Sequence, residues 1–122
     1  MTSVASVQIN DTNVFYRQAG PSTASAPTVL LLHGFPSSSH QFRNLIPLLA
    51  AKGYRVIAPD LPGFGFTTTP SSYKYTFANL AETIDSFVDA LKLTRFAIYI
   101  FDYGAPTGLR LALKHPEKVA AI

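Results

Sequence analysis

The chain has 122 residues, 48% hydrophobic and 14% charged, with ten Lys and Arg against seven Asp and Glu. That length sets a ceiling of one domain, and the low charge leans to the buried side of the globular average. The small positive excess is scattered from Arg17 to Lys118 with no basic stripe, which argues against nucleic-acid binding, and the absence of cysteine excludes disulfides and thiol chemistry. No basic start followed by an apolar run opens the chain, and runs such as "FAIYIF" fall far short of the roughly 18 residues of a membrane span. A soluble, cytoplasmic chain without membrane partners is the expectation.

In chain order, "SVASVQIN" and "TNVFYRQA" alternate apolar and polar residues around Asn10-Asp11 and read as an antiparallel hairpin. "GPSTASAP" is a loop by composition, and "TVLLL" is a continuous apolar run ended by "HGFP", the pattern of a strand buried on both faces. Phe42, Leu45, Ile46, Leu48 and Leu49 fall at helical spacing and predict one helix from His40 to Lys52, with Pro47 as a kink and Gly53 as the stop. "YRVIAPD" is the next strand and "LPGFGFTTTPSSY" a loop. Thr76 then caps a helix whose face carries Leu80, Ile84, Phe87, Val88 and Leu91. "RFAIYIF" reads as strand, "APTGLRLALKH" as helix, Pro116 as a break and "KVAAI" as the start of another strand. The pattern is that of an α/β protein: a hairpin leading into a mainly parallel sheet covered by helices on both faces. Ligands in such sheets bind beyond the carboxyl ends of the strands, which singles out "HGFP" and "FDYGA".

Few other residues carry chemistry. "GFGF" lacks the spacing of a dinucleotide loop and no phosphate-binding "GxxxxGK[ST]" occurs, so no cofactor is implied; the histidines and carboxylates show no metal-ligand spacing. No "GxSxG" occurs either, so serine esterase chemistry has no nucleophile. His40 reads as a helix-start residue and His115 as a last-turn residue. Asp60 reads as structural, its carboxylate satisfying backbone N–H groups of the Gly-rich loop.

"LLLHGFPSSSHQFRNLIPLLA", "YRVIAPDLPGFGFTTTP" and "IYIFDYGAPTGLRLALKHPEKV", in that order and spacing, resemble the α/β-hydrolase superfamily, and within it the aspartate-nucleophile epoxide hydrolases and haloalkane dehalogenases. The resemblance covers most of the chain and implies the N-terminal portion of that fold, with residues 1–122 as a single partial core domain. It makes Asp102 the nucleophile, standing on a sharp strand-to-helix turn beside helix N-terminal amides that favour its ionised form. The same position also suits a plain helix cap. The backbone N–H groups of Phe35 and Tyr103 would form the oxyanion hole, with His33, Gly34, Pro36 and Gly104 supporting the loops; the bond before Pro36 is cis in some similar proteins.

The implied substrate is a small apolar electrophile, attacked by Asp102 to give an alkyl ester that water then hydrolyses. Dehalogenases of this kind commonly hold the halide with Trp and Asn side chains, where this chain has Tyr103 and Phe35 and no Trp at all, so epoxide hydrolase chemistry ranks first and dehalogenation second. Ile100 stands where many members have Gly. In the family the lid and the catalytic His–acid pair come from a later segment. The 122-residue chain is therefore expected to hydrolyse little by itself, and an inactive fragment or a ligand-binding derivative of the fold are the alternatives. An uncovered sheet edge and apolar helix face are expected to favour self-association or pairing with a complementary piece.

Overall fold

Asn10 and Asp11 reverse the chain between β1 (Ser3–Ile9) and β2 (Thr12–Ala19), which pair antiparallel from Ile9 opposite Thr12 outward. Asn10 takes φ +52, a left-handed conformation that Asn tolerates better than most residues. The computed structural model describes residues 1–122. It adds β3 (Thr28–Leu31), β4 (Arg55–Pro59), β5 (Phe96–Tyr99) and β6 (Val119–Ala121) to the hairpin in the order β1-β2-β4-β3-β5-β6. β2 meets β4 antiparallel, and β4, β3, β5 and β6 run parallel. No helix is long and apolar enough to cross a membrane.

The period-2 alternation of the strands divides the core between two faces. On one, Leu30, Leu32, Ile57 and Ile98 meet Leu80, Ile84, Phe87 and Val88 of α2 (Phe77–Ala90) and Leu111 of α3 (Gly104–Lys114). On the other, Leu31, Val56 and Ala58 meet Phe42 and Ile46, the latter from α1 (Leu45–Ala51). Phe87 is wholly buried and packs edge-on against Tyr16 at 5.2 Å between ring centroids, and emptying such a site costs about 3–5 kcal/mol. Thr76 caps α2 as the sequence implies, its hydroxyl accepting from Asn79 N–H at 3.1 Å.

The single helix expected from His40 to Lys52 is instead a 3-10 turn, Ser39–Phe42, followed by α1. Proline explains the break. A helix running through from His40 would set the Pro47 ring against the carbonyl of Arg43 and leave that carbonyl without its donor. Restarting at Leu45 puts Pro47 in the first turn, where no N–H is required, so it ends one segment and begins another with no kink. Ser38 starts the 3-10 turn by accepting from His40 N–H at 3.2 Å.

β1 and β6 are the sheet edges, and α3 turns Leu109 and Leu113 outward, Leu113 at 82% exposure. Its inner side approaches the sheet closely at two glycines. A Cβ on Gly104 would lie 2.4 Å from the Leu32 carbonyl oxygen, and one on Gly108 would lie 2.5 Å from Ile100 Cγ2. Gly108 thus makes the room that Ile100 takes at a position where glycine is the commoner choice.

α2 and α3 are also tied by charge. His115 is more than a last-turn residue: its Nε2 stands 2.9 Å from Asp85 Oδ1, while Lys114 Nζ stands 2.7 Å from Asp85 Oδ2 and 3.1 Å from Glu82. Asp85 is nearly buried on the α2 face. Burial pushes its carboxyl upward, but hydrogen bonding and charge from Lys114 and His115 outweigh that and leave it below the usual aspartate value.

A group lowered in this way stabilises the fold above its unfolded pKa and loses that contribution as pH falls below it. Stability should therefore drop as pH falls below about 4, less steeply in Asp85→Asn, which should also unfold about 1–3 kcal/mol more easily at pH 7 by urea titration. Gly104→Ala should destabilise by a similar amount, about 1–3 kcal/mol, through the forced separation of α3 from β3; an unchanged melting temperature would show that the helix start can shift freely.

Candidate functional site

The carboxyl ends of β3 and β5 lie side by side, with Leu31 opposite Tyr99, and the two loops marked in the sequence leave the sheet there. Beyond β3 come His33, Gly34, Phe35 and Pro36, with a cis bond between Phe35 and Pro36. Beyond β5 the chain turns through Asp102 into α3. Asp102 holds φ +54, a conformation that costs a non-glycine residue roughly 1–2 kcal/mol and that stands its side chain clear of the turn.

Both backbone amides singled out in the sequence point at this side chain. Phe35 N–H donates to Asp102 Oδ2 at 2.8 Å and Tyr103 N–H to the same oxygen at 2.9 Å. Oδ1 takes no hydrogen bond from the protein, and the residue is exposed. The carboxylate does not serve as an ordinary cap, since the residue before α3 is Tyr103 and one of the two donors comes from a loop 67 positions earlier in the chain. Gly34 permits the contact: a Cβ there would lie 2.8 Å from Asp102 Cβ and 2.7 Å from the Phe101 ring. Gln41 Oε1 accepts from Gly34 N–H at 3.2 Å, a loop contact with no signal in the sequence.

His33 and Asp60 fix the β3 loop from beneath. His33 is fully buried; its Nε2 accepts from Leu61 N–H at 2.9 Å and its Nδ1 lies 2.9 Å from the Gly34 carbonyl, so the ring is neutral with the proton on Nδ1. Burial holds its pKa below the usual histidine value, against smaller upward contributions from the Gly34 carbonyl and Asp60. With both nitrogens engaged, His33 has no lone pair to offer a reacting water. Asp60, also fully buried, accepts from Ser39 N–H at 2.7 Å and Phe66 N–H at 2.9 Å. The second bond is the one its place before the Gly-rich loop implies, and the first joins that loop to the segment after "HGFP". A Cβ on Gly65, at φ +53, would strike the Asp60 carboxylate. His40 is exposed on the 3-10 turn, and no three acidic or histidine side chains converge to hold a metal ion.

An open groove of about 750 Å³ begins at this point. Phe35 and Tyr103, whose amides hold Asp102, form its near wall, and Phe64, Tyr75, Phe77 and Leu80 form much of the rest. Asp102 itself lies at its margin, outside the lining. Sequence reasoning passed over these aromatics, which lie in "GFGF" and "YKYTF"; Phe64 and Phe77 also pack against the core.

The chain matches the model of the α/β hydrolase fold over residues 27–122. It is 56% identical over 95% of its length to an uncharacterized hydrolase from Saccharomyces cerevisiae, and 40% identical over 93% to a haloalkane dehalogenase from Psychrobacter cryohalolentis. Among solved structures, an epoxide hydrolase from Vigna radiata superimposes with a TM-score of 0.89 at 34% identity over 98% of this chain, and a haloalkane dehalogenase variant from Bradyrhizobium elkanii with 0.88 at 33% over 97%. The chain spans about two fifths of the length of the curated relatives it matches, 39% and 37% of the first two, and 38% of each of the two structures. The strand order, the turn at Asp102 and these likenesses together make the chain a member of the α/β-hydrolase family, of the type that includes haloalkane dehalogenases and epoxide hydrolases.

Proposed function

We propose that Asp102 is the nucleophile of an epoxide hydrolase-like reaction and that Phe35 and Tyr103 supply its oxyanion hole. The observation that carries this reading is the asymmetry of the carboxylate: two amides at 2.8 and 2.9 Å on Oδ2, and no protein donor on Oδ1. In the first step Oδ1 attacks a ring carbon of the epoxide, the carbon–oxygen bond breaks, and the departing oxygen takes a proton from solvent water, to which the site is exposed. Asp102 becomes an alkyl ester whose carbonyl oxygen is Oδ2. In the second step water adds to the carbonyl carbon and negative charge collects on Oδ2, where the two N–H groups already point. Collapse releases the diol and restores the carboxylate. Preorganised donors of this kind contribute about 3–4 kcal/mol each to such a step.

The water needs a base, and His33 is not available for that role, its two nitrogens being engaged by Leu61 and Gly34. His115 is held against Asp85 at the carboxyl end of α3, the end away from Asp102. The nucleophile and its two donors thus come from this chain with no base placed for the water, and the ester should outlast the first step. Haloalkane dehalogenation is the second reading, favoured by the 40% identity to the Psychrobacter cryohalolentis enzyme. Against it stands that Phe35 and Tyr103, the residues whose amides meet Asp102, carry no indole or side-chain amide to receive a halide.

Exposing the folded 122-residue chain to a terminal epoxide should raise its intact mass by one epoxide, located on Asp102 by peptide mapping, and Asp102→Ala should stay unmodified. If hydrolysis outruns accumulation, reaction in oxygen-18 water should leave label in the Asp102 carboxylate. An unlabelled, unmodified Asp102 in a chain with native circular dichroism would refute the reading, and a mass gain from 1-chlorobutane with none from the epoxide would reverse the ranking of the two chemistries.

A further inference from the structure

Five of the nine residues that line the groove beside Asp102 are aromatic. Phe35 and Tyr103 lie 5.0 Å apart, Phe77 meets Tyr103 at 5.0 Å and 83°, and Phe64 meets Phe35 at 5.9 Å and 88° and Tyr103 at 6.2 Å and 88°. The Phe35–Tyr103 pair is tilted at 35°, while the other three contacts are near-perpendicular, the geometry in which one ring's edge meets another's face. Tyr75 closes the outer side, 58% exposed, where Gly63 at φ +93 leaves room for it: a Cβ there would come within 3.0 Å of Tyr75 Cε1.

No Lys, Arg, Asp or Glu lines the groove. Its polar side-chain groups are hydroxyls, and two are already engaged: Tyr75 with Thr69, and Thr76 as the cap of α2. A charged substituent would lose its hydration there without a partner. The volume of about 750 Å³ falls in the usual range for drug-sized ligands and far exceeds what a three- or four-carbon epoxide fills.

We infer that this groove receives an aromatic substituent of the substrate, so that the substrates are aryl-substituted epoxides rather than small alkyl ones. The inference rests on the reading of Asp102 as nucleophile, because Phe35 and Tyr103 belong to both sites. Their amides face the carboxylate and their rings face the groove. An aryl group seated against Phe64 and Phe77 leaves the epoxide carbons at the groove's margin, where Asp102 stands. Rings already held in place by one another lose little freedom on binding, which favours a flat, rigid guest over a flexible alkyl chain.

Binding of the uncharged product analogues tests this without turnover. Titrating the 122-residue chain with 1-phenyl-1,2-ethanediol and with 1,2-octanediol, followed by tyrosine and phenylalanine ring shifts in NMR, should show the phenyl compound binding about three- to tenfold more tightly. Tyr75→Leu, at an exposed position, and Phe77→Leu, which keeps apolar bulk beside the core, should each reduce that preference severalfold. Equal binding of the two diols, no binding of either at millimolar concentration, or a preference untouched by both substitutions would overturn the inference. Alkylation by styrene oxide separates the two readings. Aryl-selective diol binding with Asp102 never modified leaves an aryl site and removes the nucleophile, whereas Asp102 modified equally fast by styrene oxide and 1,2-epoxybutane keeps the nucleophile and removes the aryl site.

Discussion

One carboxylate oxygen receives two amide protons, one of them from a loop 67 positions earlier in the chain, and most of the site's geometry depends on that meeting. It can occur only if β3 and β5 are neighbours and end level, and the parallel register setting Leu31 against Tyr99 provides this. It also requires Gly34 to pass close to Asp102 and the backbone at 102 to hold a conformation that ordinary residues avoid. The strain there is about 1–2 kcal/mol, and two charge-assisted hydrogen bonds, weakened by their exposure, are of the same order. Turn and carboxylate therefore hold each other in place.

Beneath the exposed carboxylate lies a buried frame. His33 and Asp60 are both inaccessible to solvent, and each bonds to backbone across a gap between loops: His33 to Leu61, Asp60 to Ser39 and Phe66. Side chains so committed cannot easily serve chemistry. A histidine beside a candidate active site invites a role as base, but the one lone pair on the neutral His33 ring is taken by Leu61 N–H. Its hydrogen bonds instead tie the loop carrying Phe35 to the segment that follows β4 at Leu61.

Most of the fold was legible because its signals are local. Alternation in the hairpin, apolar runs at β3 and β4, the Thr76 cap and the face of α2 each sit within a few residues of what they determine. Asp102 was legible for the same reason, as a lone charge between a strand and a helix-ready segment. The His40–Lys52 region misled because apolar spacing persists across a break that backbone chemistry imposes: Pro47 forbids continuity with Arg43 whatever the side chains favour. Ile100 shows the opposite case, for its side chain is accommodated by Gly108, eight positions away and about one turn into α3. The Asp85–Lys114–His115 cluster and the aromatic groove left no local trace. They arise from contacts between α2 and α3, and between two loops, that only the assembled sheet creates.

Every atom that holds Asp102 comes from within this chain, and the donors are backbone groups, so their direction is set by the sheet and the loops rather than by side-chain rotamers. Oxyanion stabilisation of this sort costs nothing in reorganisation at the moment of reaction. The groove differs, for its walls are side chains, several of them well exposed, and it stands open to solvent. In the proposed reaction, charge stabilisation is thus assigned to the fold and selection among substrates to a handful of rings. Tyr75, on the outer side of the groove, can change without disturbing the carboxylate; Gly34 and Gly104 cannot, because one passes against Asp102 Cβ and the other against the Leu32 carbonyl, and Phe64 packs on His33, Phe35 and Tyr103 at once.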